Sequence, residues 1–442
     1  MRKFKICNNT LGWICFAIAT LTYLLTLEPT TSWWDCGEYI STAVKLQVGH
    51  PPGAPTFQLL GRFFSLFAFG DITKKAMMVN TMSAVCSGLT IMFLFWTITL
   101  FGRKLFNASC SDKTYKKEDG TIAYGCDFSA KENQWKMWTV LAAGFIGAMA
   151  YTFSDTFWFS AVEGEVYAMS SFCTAIVFWA ILKWEQEDNE KDASRWILLI
   201  ALVIGLSVGV HLLNLLTIPS IALIYYYKKY KKPTVGGVLL ALLISFVLVA
   251  IVLYGIVPLV VKLAGSFELF FVNRLNMPIN SGTWIYFILL TALLIFLWMW
   301  SLKRKTILWN TIVIALVLFL TGYSTFFILA IRANTNTPIN EGSPSDPITM
   351  VSYLNREQYG SAPIIYGQYY NVPIDHYKDG KPIYVKDKES GKYVMTDDGK
   401  ESIAVYDKRF CTILPRMYAN QDDNKIEGYK SWGKVKGVRI PV

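Results

Sequence analysis

A bilayer core of about 30 Å is crossed by roughly 20 apolar residues in one helix, because every backbone N–H and C=O must find its partner inside the segment. From Gly236 to Val257 the chain runs through 22 residues without a charge, a length that a soluble domain seldom needs. Comparable runs lie near 11–27, 76–101, 137–153, 166–184, 196–210, 212–227, 284–302 and 307–331. The sequence therefore predicts an all-α polytopic membrane protein with a bundle of about nine transmembrane helices. The first run follows a basic leader, Arg2, Lys3 and Lys5. No small-x-small cleavage site comes after it, so it reads as an uncleaved first span. The pair after Arg195 is the shortest: about 33 residues make the round trip, which leaves about 25 Å per half. Short helices turning near Gly209-Val210-His211, or a re-entrant hairpin, are expected there.

A net charge of +10 would suit a nucleic-acid ligand, but the cations fall in short runs between the apolar segments, as in Lys228-Lys229 and Lys303-Arg304-Lys305. Loops 102–136, 185–195, 228–235 and 303–306 hold most of the loop Lys and Arg, and loop 154–165 holds none. By the positive-inside rule the N-terminus and those basic loops are cytoplasmic. There is no DNA-binding motif, so the expected partner is the lipid bilayer and not nucleic acid. Eight cysteines are scattered without CxxC or Cys/His spacing, which leaves no zinc site to expect. Cys36 and Cys411, both on the outer side, could form a disulfide.

The domain division follows: a membrane module over residues 1–331, and an outer soluble tail over 332–442 that reads as an incomplete domain. Within the module, Glu28 to Lys75 is a long first outer loop and Pro258 to Thr283 a second. The tail begins with "NTNTPINEGSPSDP" and continues in short Tyr/Val/Ile runs separated by Asp379-Gly380, Ser390-Gly391 and Asp398-Gly399. Such dipeptides are hairpin turns, so a small antiparallel meander is predicted.

The first outer loop carries "TTSWWDCGEYISTAVKLQVGHPPGAP". With Ser32 as N-cap, "SWWD" reads as a capping box with Asp35 at its third position, and Glu38 sits in the first turn, where the helix dipole favours an acid. Continued to Val48, the helix has an apolar stripe (Trp33, Gly37, Ile40, Val44, Val48) and a polar one (Asp35, Glu38, Thr42, Lys45), as expected of a helix lying on the membrane surface. Trp33 and Trp34 are interfacial anchors, with Trp34 also a candidate for substrate contact. Capping alone does not require a second acid one turn on. Pro51 and Pro52 hold His50 extended in a rigid turn close to the acids; an interfacial histidine with a satisfied hydrogen bond is the plainer alternative.

Glu163 and Glu165, in "WFSAVEGEVYAM", fall on the same side of the membrane as Asp35, either opening the next helix or lining the same cavity. His211 and Asn214 sit three apart in "GLSVGVHLLNLLTIPS", where a polar group faces the bundle or a cavity. Arg274 and Arg332 are outer-face cations able to pair with phosphate.

These motifs, with "YLNREQYGSAPIIYGQYY" in the tail, resemble glycosyltransferase family 117, a bacterial membrane family once of unknown function and similar to the eukaryotic transmembrane O-mannosyltransferase of plexin-type receptor domains. The resemblance implies a GT-C-like bundle in the bacterial inner membrane, with its acidic loop and C-terminal tail periplasmic. It also implies a polyprenyl-phosphate sugar as donor and a protein or glycan hydroxyl as acceptor. By the same resemblance Asp35 and Glu38 match the acidic pair, His50 to Gly53 the turn, Glu165 and Tyr167 the Glu-Val-Tyr motif, and His211 and Asn214 the His-Leu-Leu-Asn motif. Asp35 is then the general base of an inverting displacement, with Glu38 as alternate base or orienter and His50, Arg274 or Arg332 on phosphate. No cofactor is expected beyond the lipid-linked sugar, which is a substrate, no metal-ligand set is singled out, and metal dependence is left open. Two other classes compete: a multispan transporter or lipid-linked glycan flippase, which would carry an internal repeat and broken helices at mid-membrane, and a noncatalytic scaffold acting through its tail.

Overall fold

The computed structural model describes residues 2–109, 114–116, 122–128, 130–230, 232–304, 306–360, 363–387, 389–415 and 423–434. Helix α1 (Arg2–Leu25) leads into a loop that holds two short helices, α2 (Cys36–Lys45) and α3 (Pro55–Ser65), ahead of the long α4 (Lys75–Ala108). A small antiparallel pair, β1 (Thr114–Lys116) and β2 (Ile122–Tyr124), precedes α5 (Gln134–Thr152), and the chain bends by 69° there into α6 (Asp155–Ala161). Helices α7 (Val166–Gln186) and α8 (Glu190–Val208) follow, then a 3-10 turn over Leu212–Thr217 and α9 (Ile218–Lys229).

From α10 (Val235–Ala250) the chain stays helical through a π-helical segment, Ile251–Ile256, into α11 (Val257–Leu269) and a second π segment, Phe270–Arg274. Then come α12 (Ser281–Lys303), α13 (Ile307–Tyr323) and α14 (Phe327–Ala333). The tail holds α15 (Pro347–Leu354), β3 (Tyr366–Gln368), β4 (His376–Asp387), β5 (Lys392–Val405), β6 (Cys411–Ile413) and α16 (Asp423–Gly433). Strand β4 pairs with β5, and β3 with β6, both antiparallel.

The chain is a multi-pass membrane protein. Among the described residues six helical stretches are long and apolar enough to cross a membrane, or seven if the bent α5–α6 pair is one span. Only 11% of the apolar window is buried inside the protein in Val235–Arg274, and the same in Ser281–Lys303, against 61% in Ile72–Ala108. The outward apolar faces need lipid around them. The expected nine is not reached by this measure, because α8 opens with Glu190, Lys191, Asp192 and Arg195, too many charges for a span, and α9 has only 12 residues. The turn expected at Gly209-Val210-His211 is present as the break after α8.

Three expectations are corrected. The second outer loop is mostly helix as far as Arg274; the π segment before Pro258 widens the backbone just where proline removes a donor. The tail is not a meander but two separate strand pairs, and only Ser390-Gly391 is a turn, with Gly391 at φ +65°. Asp379-Gly380 and Asp398-Gly399 lie within strands, the first beside a register shift between Asp379 and Pro382. Cys36 and Cys411 are both free thiols.

Three apolar clusters hold the bundle. One joins α1, α4 and α5; a second runs through α7, α8, α11, α13 and α15. The third lies under the acidic loop, where Ile40 and Ala43 of α2 and Phe57 of α3 pack on Val79 and Met82 of α4 and on Val166 and Met169 of α7. The two ends of the bundle are tied separately. At one end Lys104 pairs with Glu185 and Lys229 with Glu190; at the other lie the acidic loop, Glu163 and the start of the tail. The first part of the tail is not detached: Met350 and Tyr353 of α15 share a core with Phe326 and Leu329.

Candidate active site

Helix α2 begins one residue after Asp35, which is its N-cap in helical backbone geometry without a side-chain capping bond. The capping box expected at "SWWD" is therefore absent. Instead Ser32 turns its hydroxyl to Glu163, and Trp34 takes a left-handed φ of +60°, uncommon for a bulky residue and worth of order 1–3 kcal/mol in strain. That kink leaves the carboxylate of Asp35 and the ring of Trp34 exposed. The helix ends at Lys45, before the expected Val48, because Leu46 turns left-handed at φ +49°.

Two arginines hold that C-terminal end. Arg332 Nε donates to Leu46 O at 2.5 Å and its Nη2 to Lys45 O at 3.1 Å, while Arg62 Nη1 donates to Val44 O at 2.6 Å. Cations at a helix C-terminus satisfy orphan carbonyls and the dipole together. Arg332 therefore caps the C-terminal end of α2. Arg274 stands exposed at the end of its π segment, and no described contact brings it to the acids.

His50 returns to α2 as the prolines require. Its backbone N–H donates to Glu38 Oε1 at 2.6 Å, and its Nδ1 lies 3.0 Å from the same oxygen. The turn is buttressed from the tail: Tyr353 Oη donates to Gly49 O at 2.6 Å, and Gly53, at φ +78°, leaves no room for a side chain beneath Tyr353 and Leu329. One ligand atom from each of Asp35, Glu38 and His50 falls within 4.8 Å of the others. That spacing suits a divalent ion, which would have to compete with His50 for Glu38.

Burial works to raise the Glu38 carboxyl, but the two His50 hydrogen bonds and the imidazolium charge outweigh it and hold the group below its ordinary range. The same bond to Glu38 lifts His50 above its ordinary value against the effect of burial. Each partner thus favours the charged form of the other. Burial, with Asp35 and Glu163 nearby, pushes Glu165 up to about 7, although its side chain also accepts from Val166 N as the N-cap of α7.

Sequence reasoning missed three participants. Glu341 of the linker feels Glu38, His50 and Asp35, and burial raises its carboxyl first of all. It arrives because Val48 N donates to Ile339 O and Glu341 N to Val48 O, both at 3.1 Å. Tyr39, one turn along α2, has its hydroxyl 3.4 Å from His50 Nε2. Tyr353 is the third. Glu341 and Tyr353 act across long sequence separations that no short-range signal marks, whereas Tyr39 lies next to Glu38 in the sequence.

The "HLLN" residues fall at the helix break. His211 Nδ1 accepts from Leu213 N at 3.1 Å, and its ring lies 5.6 Å from that of Tyr167. Asn214 is fully buried and donates to Ser207 Oγ at 2.9 Å, a bundle contact. Tyr167 is exposed near Glu165 and Asp35.

Residues 35–234 match the family described as Protein O-mannosyl-transferase TMEM260 N-terminal domain, and residues 360–441 a family of unknown function, DUF8416. Protein O-mannosyl-transferase tmem260 of Dictyostelium discoideum is 26% identical over 179 residues, which are 40% of this chain and 18% of that protein. Its Mus musculus counterpart, Protein O-mannosyl-transferase TMEM260, is 25% identical over 204 residues, 46% of this chain and 23% of that protein. The matched stretch thus covers about a fifth of each curated relative. No solved structure matches the chain. Over residues 35–234, which include every acid of the loop cluster but Glu341, the chain is similar to the TMEM260-like protein O-mannosyltransferases.

Proposed function

We propose that the chain is a membrane glycosyltransferase moving a mannose-like sugar from a polyprenyl-phosphate donor to a hydroxyl of a protein or glycan, with inversion at the anomeric carbon. The observation that carries the reading is an exposed Asp35 set beside an ion-paired Glu38 and His50, at the bundle end where the first span leaves the membrane. Asp35 takes the proton of the acceptor hydroxyl as its oxygen bonds to the anomeric carbon. The bond from that carbon to the phosphate oxygen breaks, and polyprenyl phosphate leaves with the electron pair. General base catalysis of this kind is worth typically 10²- to 10⁴-fold.

Glu38 stays anionic through His50 and orients the acceptor, while the His50 imidazolium faces the phosphate charge as it develops. Trp34, exposed beside Asp35, offers a sugar-stacking surface, and Glu165 and Tyr167 close the far side. No cofactor enters this reading. The face is taken as periplasmic in a bacterial inner membrane, with the N-terminus cytoplasmic, in accord with the basic loops at the opposite end.

The break between α8 and α9 is the observation that favours a transporter or flippase. Vesicles holding the full chain, supplied with polyprenyl-phosphate mannose and an acceptor polypeptide, separate the two. Transferase activity yields mannosylated acceptor on the face of Asp35; lipid-linked sugar that crosses the membrane with no glycosylated product contradicts the proposal.

A further inference from the structure

The tail motif "YLNREQYG", Tyr353 to Gly360, closes α15 and lands on the acidic loop and the helix break together. Tyr353 Oη donates to Gly49 O at 2.6 Å and lies 3.3 Å from His50 O. Leu354 and Asn355 line a small cavity with Pro52 of the His50 turn and with Val208 and Leu212, from either side of the break after α8. The turn and the break are also tied directly, since Thr56 N donates to Gly209 O at 2.8 Å. The next residue along the motif is Arg356.

Arg356 is exposed and takes a left-handed φ of +56°, uncommon for a residue with a long side chain. Among the described residues its guanidinium has no carboxylate partner and lies 4.9 Å from the centroid of the Tyr359 ring. The neighbouring carboxylate is engaged elsewhere: Glu357 accepts from Ser352 Oγ and, at 3.3 Å, from Asn355 Nδ2. Other cations at this end are committed to protein groups, Arg62 and Arg332 to carbonyls of α2 and its C-cap and His50 Nδ1 to Glu38. Arg356 thus brings a guanidinium without an ion pair to the end of the bundle where the acids gather.

Its neighbour across the break is His211. Burial, and after it the Arg356 guanidinium, hold His211 below its ordinary value of 6.5, so the ring is neutral near pH 7. Its Nδ1 accepts from Leu213 N at 3.1 Å, which puts the proton of the neutral ring on Nε2. A fixed N–H donor beside a guanidinium is a set that phosphate oxygens accept from. Tyr167, whose ring is 5.6 Å from that of His211, also lies near Glu165 and Asp35. Beyond His211, Leu212, Leu213 and Leu216 are each more than a third exposed, an apolar path for a lipid tail.

We propose that Arg356 and His211 Nε2 bind the phosphate of the lipid-borne donor, with the prenyl chain along Leu212, Leu213 and Leu216 and the sugar reaching past Tyr167 to Asp35. The proposal rests on the transferase reading for its occupant. When the bond from the anomeric carbon to the phosphate oxygen breaks, the electron pair stays on that oxygen and the acceptor's proton goes to Asp35. Arg356 and the Nε2–H of His211 stabilise the added negative charge, and His211 keeps its proton.

The test measures retention of radiolabelled undecaprenyl phosphate by the purified full chain, with undecaprenol and inorganic phosphate as competitors, alongside donor kinetics with polyprenyl-phosphate mannose in vesicles. Undecaprenyl phosphate should bind at least about tenfold tighter than undecaprenol. Arg356→Gln should lower that affinity about 10- to 100-fold and raise the donor KM while leaving the acceptor KM unchanged. Arg356→Lys, which keeps the charge but not the planar fork, should recover part of the loss. Unchanged affinity in Arg356→Gln overturns the proposal, as does displacement of the bound lipid by undecaprenol or inorganic phosphate at similar concentration. Wild-type protein that binds undecaprenyl phosphate through Arg356 yet yields no mannosylated acceptor would instead contradict the transferase reading and leave the phosphate site standing.

Discussion

The Glu38–His50 pair sets the local pH behaviour. His50 is raised from 6.5, so its contribution to stability is complete below 6.5 and is lost as pH rises through its higher folded value. Glu38 is lowered from 4.5, so its contribution is complete above 4.5 and is lost as pH falls through its lower folded value. Between those limits both hold. Glu165, raised from 4.5 to about 7, favours the folded state while protonated, and that advantage fades as pH rises from 4.5 to about 7. Thermal unfolding in detergent should therefore show higher stability near pH 5.5 than near pH 8. Glu38→Gln should lower stability by about 1–3 kcal/mol at the lower pH, because a charge-assisted bond is lost, and flatten the profile. Glu165→Gln should remove the part between pH 4.5 and 7. An unchanged profile in both variants would contradict the ion-pair geometry.

The elements that place these side chains differ in how far they can be read from sequence. The apolar spans were legible because lipid demands long uncharged helices. The proximity of His50 to the acids was legible because two prolines permit little else. Helix boundaries were not. Ser32 had a nearer claim as N-cap until Glu163, 131 residues away, took its hydroxyl. A true capping box lies instead at Asp346 with Thr349, at the start of α15.

The capping of α2 by Arg332 was not legible, because its partners are backbone carbonyls of a helix remote in sequence, which no motif announces. Arg332→Met should cost about 1–3 kcal/mol of stability and weaken transfer by loosening α2, measured as a lower thermal midpoint together with reduced turnover. Helices α8 and α13 cross with backbones nearly in contact, where a methyl group on Gly205 would strike Phe319 O and one on Gly322 would strike Leu206 N. Gly205→Ala should therefore destabilise by about 1–3 kcal/mol. An unaltered unfolding midpoint would contradict the close crossing.

At the scale of the whole molecule, chemistry is segregated by end. The acid cluster, Glu341 and the start of the tail gather at one end; the tied basic loops occupy the other. Reporter fusions should therefore place residue 334 and the loop around residue 50 on one side of the membrane and residues 187–189 on the opposite side. The proposed transfer from a lipid-borne donor would take place at the acid end and would depend on Asp35. The decisive measurement is mannose transfer from polyprenyl-phosphate mannose to acceptor polypeptide by vesicles containing equal amounts of inserted wild-type protein and Asp35→Asn. Transfer by the wild type and a loss of at least about 10²-fold in the variant are expected, with unfolding midpoints alike. Transfer by Asp35→Asn at the wild-type rate would contradict it.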